Sequence, residues 1–289
     1  MASNTLSADV ISKPRSVRVL RAPSFSPLGL LGNLISLAQY RDLLLTLTIH
    51  RIKVRYKQSL LGIGWAMLQP LSLMLIYTLI FSFIARISTD GVPYAIFAFS
   101  ALLPWTYFAG SIGNATNSLV GHSELVTKVY FPREILPLSY VIAALCDLLI
   151  ASTVMVGLMF YYRVSLTIYV LYTVPIVLVL TLFIVAIVLI LSATQVRFRD
   201  IGVAVPLILQ LWMFATPVVY PLSAVPARFQ SLYVLNPLVG VIENFRRVVL
   251  QGKEPDFYTL GVSATVTVVL LVISYIYFKH IEAMVADLV

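Results

Sequence analysis

Charge is what this sequence has least of. Only 11% of its 289 residues are Asp, Glu, Lys or Arg, 60% are hydrophobic, and mean hydropathy is +0.95. A soluble domain carries about 25% charged residues. A soluble globular fold is therefore excluded, and an all-α membrane protein with several spans is expected. Cysteine is nearly absent: Cys146 alone permits no internal disulfide and, inside an apolar run, reads as a small packing residue. The three histidines, His50, His122 and His280, lack the spacing of a metal site, so no metal is expected. No Gly-rich phosphate loop ending in Lys-Ser/Thr occurs, so the chain by itself is not expected to bind ATP. The net charge of +8 raises nucleic acid as a partner, but the basic residues flank apolar runs, and the positive-inside effect accounts for that better. Residues 1–27 lack the apolar core of a signal peptide, so no cleavable signal is expected. Residues 1–36, with Lys13, Arg15, Arg18 and Arg21 among prolines, read as a cytoplasmic arm, and residues 37–289 as the membrane domain.

The stretch from Arg51 to Pro70 organises what is present. Arg51, Lys53, Arg55 and Lys57 are followed by a run without charge from Gly62 to Ala85. Positive residues favour the cytoplasmic side, so the first span is expected to start inside. Leu44, Leu47, Ile52 and Val54 interleave with the basic residues, which predicts a helix over Leu37–Leu60 lying along the inner membrane surface against lipid headgroups.

Spanning needs about 20 residues, and six runs qualify: Trp65–Ala85, Tyr94–Leu119, Ile135–Phe160, Leu166–Thr194, Ile201–Tyr220 and Phe257–Phe278. With both termini inside, fourteen of the 20 basic residues are cytoplasmic and six are outside. Between runs five and six the chain stays apolar. Asn236-Pro237 reads as a helix cap and first turn. Leu238, Val241, Ile242, Phe245 and Val249 recur on one helical face, Glu243 and Arg247 stand at pairing distance, and Gly252 reads as a stop. Two short outer helices dipping back into the membrane are predicted, since Glu243, Arg246 and Arg247 argue against a seventh span.

Asp147 is the one acid deep inside a run. An intramembrane carboxylate is a functional candidate, but no second intramembrane charge accompanies it, which favours a hydrogen-bonded structural role. On the cytoplasmic side, Glu124 to Glu134 is short, charged and amphipathic. It places Leu125 and Val129 on one face and Tyr130 and Phe131 before a proline, a composition suited to docking in a partner's groove.

Lys128-Val129-Tyr130-Phe131-Pro132-Arg133-Glu134 resembles the signature of polysaccharide ABC exporter permeases, the type-2 ABC membrane subunits that export O-antigen, capsule or teichoic acid. Three further stretches agree: Arg55-Tyr56-Lys57-Gln58-Ser59 through Gln69-Pro70, Arg197-Phe198-Arg199-Asp200, and Asn236-Pro237 with Glu243 and Arg246. The resemblance runs from about Leu37 to the C-terminus. It implies a homodimer of six-span subunits in the bacterial inner membrane, with two copies of a cytoplasmic ATPase that bind ATP and Mg. Glu124, Leu125, Lys128, Val129, Tyr130, Phe131, Arg133 and Glu134 would form the coupling element. The implied substrate is a lipid-linked polysaccharide. Tyr77, Phe81, Phe97, Trp105, Tyr107, Phe108, Trp212, Phe214 and Tyr220, on runs one, two and five, are then candidates for its path, because aromatic faces stack on sugars; interface belts and lipid-facing packing explain them equally well. A permease for a small lipid or drug is the alternative within transport. A membrane-embedded transferase would need acids or histidines converging at one face, and a secondary transporter would usually show internal repeats.

Overall fold

The computed structural model describes residues 38–86, 89 and 91–288, with side chains through Glu282. The predicted arm over residues 1–36 lies outside the described residues. Those residues are helical, without strands, as the apolar composition dictates: lipid offers no hydrogen-bond partner, so backbone groups must be satisfied within each helix.

The predicted interface helix is α1, Arg41–Tyr56. Gln58 and Gly62, both at positive φ, turn the chain into α2, Gly64–Tyr77, which widens into π-helical turns over Thr78–Ile84. Then follow α3, Tyr94–Thr116, and the short α4, Ser123–Lys128. Next come α5, Ile135–Tyr161, and α6, Thr173–Arg197, which is led in by a 3₁₀ turn over Ile168–Tyr172. A tight turn leads to α7, Ile201–Phe214. Two short helices, α8 (Ala227–Val234) and α9 (Pro237–Val249), precede the last, α10, Phe257–Leu288.

Five stretches are long and apolar enough to cross a membrane: Gly64–Ile84, Tyr94–Thr116, Ile135–Tyr161, Ile168–Arg197 and Phe257–Glu282. The fifth predicted run, Ile201–Tyr220, is helical only to Phe214. At 1.5 Å per residue its 14 residues reach about 21 Å, short of a hydrocarbon core of about 30 Å. Pro217 explains the stop, because proline disfavours helical geometry in the residue before it. The carbonyls freed beyond the stop, of Pro217 and Val218, accept from Arg246.

Helix α3 is the centre of the bundle and is buried along most of its length. Its apolar core joins α5, α6, α7 and α9. A second, smaller core sits at the α4 end, where Phe131, Ile135, Leu136, Phe278 and Ile281 are buried and Leu43, Leu44 and Leu47 of α1 pack on them. Helix α1 therefore packs one side on the bundle. It leans on α5, with Arg51 over the Tyr140 ring and Arg55 against Asp147.

Candidate functional site

The seam between α1 and α5 collects most of the polar chemistry inside the bundle. Asp147 lies about 18 Å along α5 from Ile135. Its Oδ2 accepts from Arg55 Nη1 and its Oδ1 accepts from the Tyr56 hydroxyl at 2.5 Å. The cation that accompanies Asp147 comes from α1, outside the apolar runs. Burial, and then the hydrogen bond to Asp147, pushes the Tyr56 phenol up to about 12. One turn earlier on α1, Arg51 Nη1 donates to His122 Nε2 at 2.7 Å, and His122 Nδ1 donates to the Ser118 carbonyl at 2.8 Å. That arrangement requires a neutral imidazole, and burial accordingly lowers the His122 pKa. Lys53 and Lys57 are exposed.

Between α1, α2, α3 and α5 this seam encloses a cavity of about 300 Å³. Arg55, Tyr56 and Asp147 line it together with Trp65, Gln69, Tyr107 and Asn114.

The predicted coupling element is a 3₁₀ turn over Val120–His122 followed by α4. Glu124 and Lys128 pair at 3.1 Å on its exposed side. Tyr130 is 77% exposed and Val129 52%, whereas Phe131 is 4% exposed. Tyr130 is thus free to dock, while Phe131 belongs to the small core and Leu125 packs at its edge. The expected pairs Tyr130 with Phe131, and Leu125 with Val129, each divide between surface and interior. Val129 follows the last residue of α4 in extended backbone, so helical spacing no longer holds it on the Leu125 face.

The exit from this element is held by charge. Lys279 Nζ hydrogen-bonds Glu134 Oε2 at 3.0 Å, lies 2.9 Å from its Oε1, and reaches Glu282 Oε2 at 2.8 Å. The Arg133 amide donates to Glu282 Oε1 and its guanidinium to the Glu282 carbonyl. Burial, and then neighbouring Glu282, raises the Glu134 carboxyl above the ordinary carboxylate range. In the next turn on this face, Arg197, Arg199 and Asp200 are exposed, with Arg197 stacked on Phe198. The Arg199 carbonyl accepts from Gln195, which also donates to Asn117 of the loop after α3.

At the opposite end, α9 forms as the sequence predicts. Asn236 caps it by accepting from the Leu238 amide, and Leu238, Val241, Ile242, Phe245 and Val249 are all buried. The expected Glu243–Arg247 pair does not form. Glu243 pairs with Arg246 at 2.9 Å, and Arg247 donates to the Glu254 carbonyl. Arg246 is 2% exposed, stacks 3.8 Å over Phe97, and feeds the two carbonyls beyond α7. Gly240 lets α9 touch α10, since a Cβ there would stand 2.1 Å from Ser263 Oγ. Asn244 continues the seam, donating to Thr259 and accepting from the Asp256 amide.

The candidate path aromatics divide. Phe97, Trp105, Tyr107 and Phe108 are buried inside the subunit, and Phe108 and Phe183 stack at 5.8 Å with Trp212 edge-on to both. Tyr107 lines the cavity at Asp147, and Phe97 lines a second one beside Glu243 and Arg246. Tyr77, Phe81, Trp212 and Tyr220 are half-buried and Phe214 is exposed. Tyr220 bonds the Phe214 carbonyl and faces the Tyr233 hydroxyl.

Sequence reasoning missed three contacts: Arg55 and Tyr56 on Asp147, Arg51 on His122, and Lys279 with Glu282 on Glu134. The one available signal was a lone carboxylate in an apolar run, which demands a partner.

The sequence pattern of the ABC-2 type transporter family matches residues 42–250, more than two-thirds of the chain. An O-antigen export system permease protein of Myxococcus xanthus is 36% identical over 165 residues, 57% of this chain and 63% of that protein. One of Klebsiella pneumoniae is 31% identical over 161 residues, 55% of this chain and 61% of that protein. The matched stretch thus spans about three-fifths of these relatives' length. The family pattern begins in α1 and closes just past α9, enclosing the Asp147 seam, α4 and the buried Arg246 in one continuous match, and on that match the chain belongs to the ABC-2 type transporter family.

Proposed function

We propose that this chain is the membrane permease of an ABC exporter that moves a lipid-linked, O-antigen-like polysaccharide outward across the bacterial inner membrane. The observation that carries the reading is the family match over residues 42–250, joined to relatives named as O-antigen export permeases. The chain acts as a transport subunit and not as an enzyme. Hydrolysis belongs to a separate ATPase that binds ATP and Mg, two copies serving a permease homodimer.

In this reading α7, although short, is the fifth of six spans, continued by the turn over residues 215–220, of which 216–219 are buried, and both termini are cytoplasmic. Helix α4 with Tyr130 is the coupling element. Its exposed Tyr130 and Val129, with the Glu124–Lys128 pair, give the ATPase an apolar contact ringed by charge. Helices α8 and α9 are the outer re-entrant pair. The half-buried and exposed aromatics Tyr77, Phe81, Trp212, Phe214 and Tyr220 stand toward the polymer path at the dimer interface.

The test is complementation. Expressed with its ATPase in a strain lacking its own permease, the chain restores surface polysaccharide, read by antiserum blot of intact cells. Loss of export despite normal chain and ATPase levels in the membrane overturns the reading. Topology is checked by single cysteines: one at Gly91 or Gln251 reacts with an impermeant thiol reagent from outside, and one at Ser123 does not. The reverse pattern overturns the sidedness.

A further inference from the structure

The cavity at Asp147 has a donor and acceptor set that the fold leaves half used. A carboxylate has about four acceptor positions and a guanidinium five donors. Asp147 uses two of its acceptor positions, on Arg55 and Tyr56, and Arg55 uses one donor. Gln69 lines the cavity, and its side chain makes no hydrogen bond with any described residue. Asn114 donates to the Gly110 carbonyl and keeps its own carbonyl oxygen free among the described residues. Spare donors and spare acceptors therefore face one space. Two aromatic side chains border the same space: Trp65, half exposed, and Tyr107, whose hydroxyl is engaged by Thr181 at 3.1 Å.

Charge decides between ligand classes. The cationic Arg55 and anionic Asp147 cancel at contact distance, so the cavity offers no net positive field. A phosphate or diphosphate accepts hydrogen bonds only, and it would meet the Asp147 carboxylate. A neutral sugar ring has hydroxyls that both donate and accept, and C–H faces that lie on aromatic rings. At about 300 Å³ the cavity stands at the lower end of ligand-pocket sizes, room for a single ring and not for an extended chain.

We propose that the cavity between α1, α2, α3 and α5 is a binding site for one neutral sugar ring, stacked on Trp65 and hydrogen-bonded by Arg55, Asp147, Gln69 and Asn114. The inference rests on the polysaccharide-export reading and adds to it a discrete saccharide subsite inside each subunit. Because the Arg55 contact ties α1 to α5, a ring seated there also bears on how firmly α1 is held.

The experiment uses the full chain in nanodiscs, with Cys146→Ser to remove the native thiol and Ala66→Cys as a reporter in the cavity wall. The probes are a panel of neutral hexoses, deoxyhexoses and N-acetylhexosamines, with inorganic diphosphate as the anionic arm. At least one neutral sugar is expected to slow thiol labelling of Ala66→Cys several-fold, while diphosphate leaves it unchanged. Trp65→Leu is expected to weaken that protection about tenfold, and Asp147→Asn to weaken it as well, each measured against the same variant's own labelling rate without sugar. Protection by diphosphate and by no sugar assigns the site to a lipid phosphate and overturns the proposal. Protection by neither probe also overturns it. Export by the same Ala66→Cys chain in cells is scored separately: export without sugar protection refutes the subsite and leaves the permease reading standing, whereas failed export by the native chain refutes the reading beneath both.

Discussion

Removing Lys279 should cost far more than removing the charge of Glu134, although the two are partners. Among the described residues Lys279 is the one cation that touches both Glu134 and Glu282, and the three side chains are 12%, 2% and 17% exposed. Lys279→Met strands two buried carboxylates on each other. Stripping one partner from a buried ion pair costs about 3–5 kcal/mol. Glu134→Gln leaves Lys279 on Glu282 and relieves the repulsion between the acids, so its cost is that of a weakened hydrogen bond, about 1 kcal/mol. At about 2 °C per kcal/mol for a chain of this size, the drops in melting temperature are roughly 6–10 °C and 2 °C. The assay is thermal unfolding in detergent, followed by loss of the monodisperse peak on size-exclusion chromatography. Adding Glu134→Gln to Lys279→Met should recover part of the loss, because one stranded acid becomes neutral. The pH dependence has a definite sign. Without Lys279 the folded protein raises the pKa of an acid that is already above the ordinary range through burial and Glu282. The folded state then binds more protons than the unfolded one above the ordinary carboxylate pKa, and stability falls as pH rises. Lys279→Met should therefore be less damaging at pH 5 than at pH 8. Equal losses for the two single variants, or a larger loss for Glu134→Gln, would refute the charge-clamp reasoning.

Tyr130→Ala should leave folding intact and reduce ATPase copurification and export, while Phe131→Ala should cost stability by about 3–5 kcal/mol, because its ring fills the small core; reversed behaviour in melting and pull-down assays would exchange their roles. Gly240→Ala should lower stability by about 1–3 kcal/mol, since the new Cβ meets Ser263 and the Thr259 carbonyl and must push α9 off α10; unchanged melting would show that this seam yields freely. The His122 contact with Arg51 should be lost at low pH, once pH falls through the folded pKa that burial holds below the ordinary imidazole value, because a cationic ring cannot accept from Arg51. Amide exchange over residues 41–56 measures it: faster exchange at low pH is expected, with burial, Arg51 and His50 opposing protonation and the Ser118 carbonyl favouring it, and a pH-independent pattern would discount the contact.

Helices were legible wherever one period dominated. The apolar runs located five spans to within a few residues, and the face Leu238–Val241–Ile242–Phe245–Val249 placed α9 with its cap. The end of α7 was less legible because residues 215–220 are as apolar as the helix before them; only Pro217 marked the break, and the carbonyls it frees find Arg246 far along the chain. Contacts between distant charges could not be read. Nothing local ties Arg55 to Asp147, 92 residues away, or Arg133 to Glu282, 149 residues away, because composition gives a side chain's need for a partner and not the partner. Burial of the aromatics was hidden for a related reason. Trp105 and Phe108, which are buried, and Phe214, which is exposed, look alike in sequence, and only packing separates them.

Helix α10 is pinned at both extremities. Near its start, Thr259 and Ser263 meet Gly240 and Asn244 at van der Waals and hydrogen-bond distance; near its finish, Lys279 and Glu282 grip Arg133 and Glu134. The rod between them is about 30 Å long and contains no proline. A rod fastened in this way links the α4 end of the bundle directly to α9, so a displacement of one attachment loads the other. The two faces of the bundle are geared together through one helix, which makes its midsection, and not either site, the place where a single flexible insertion would disengage them.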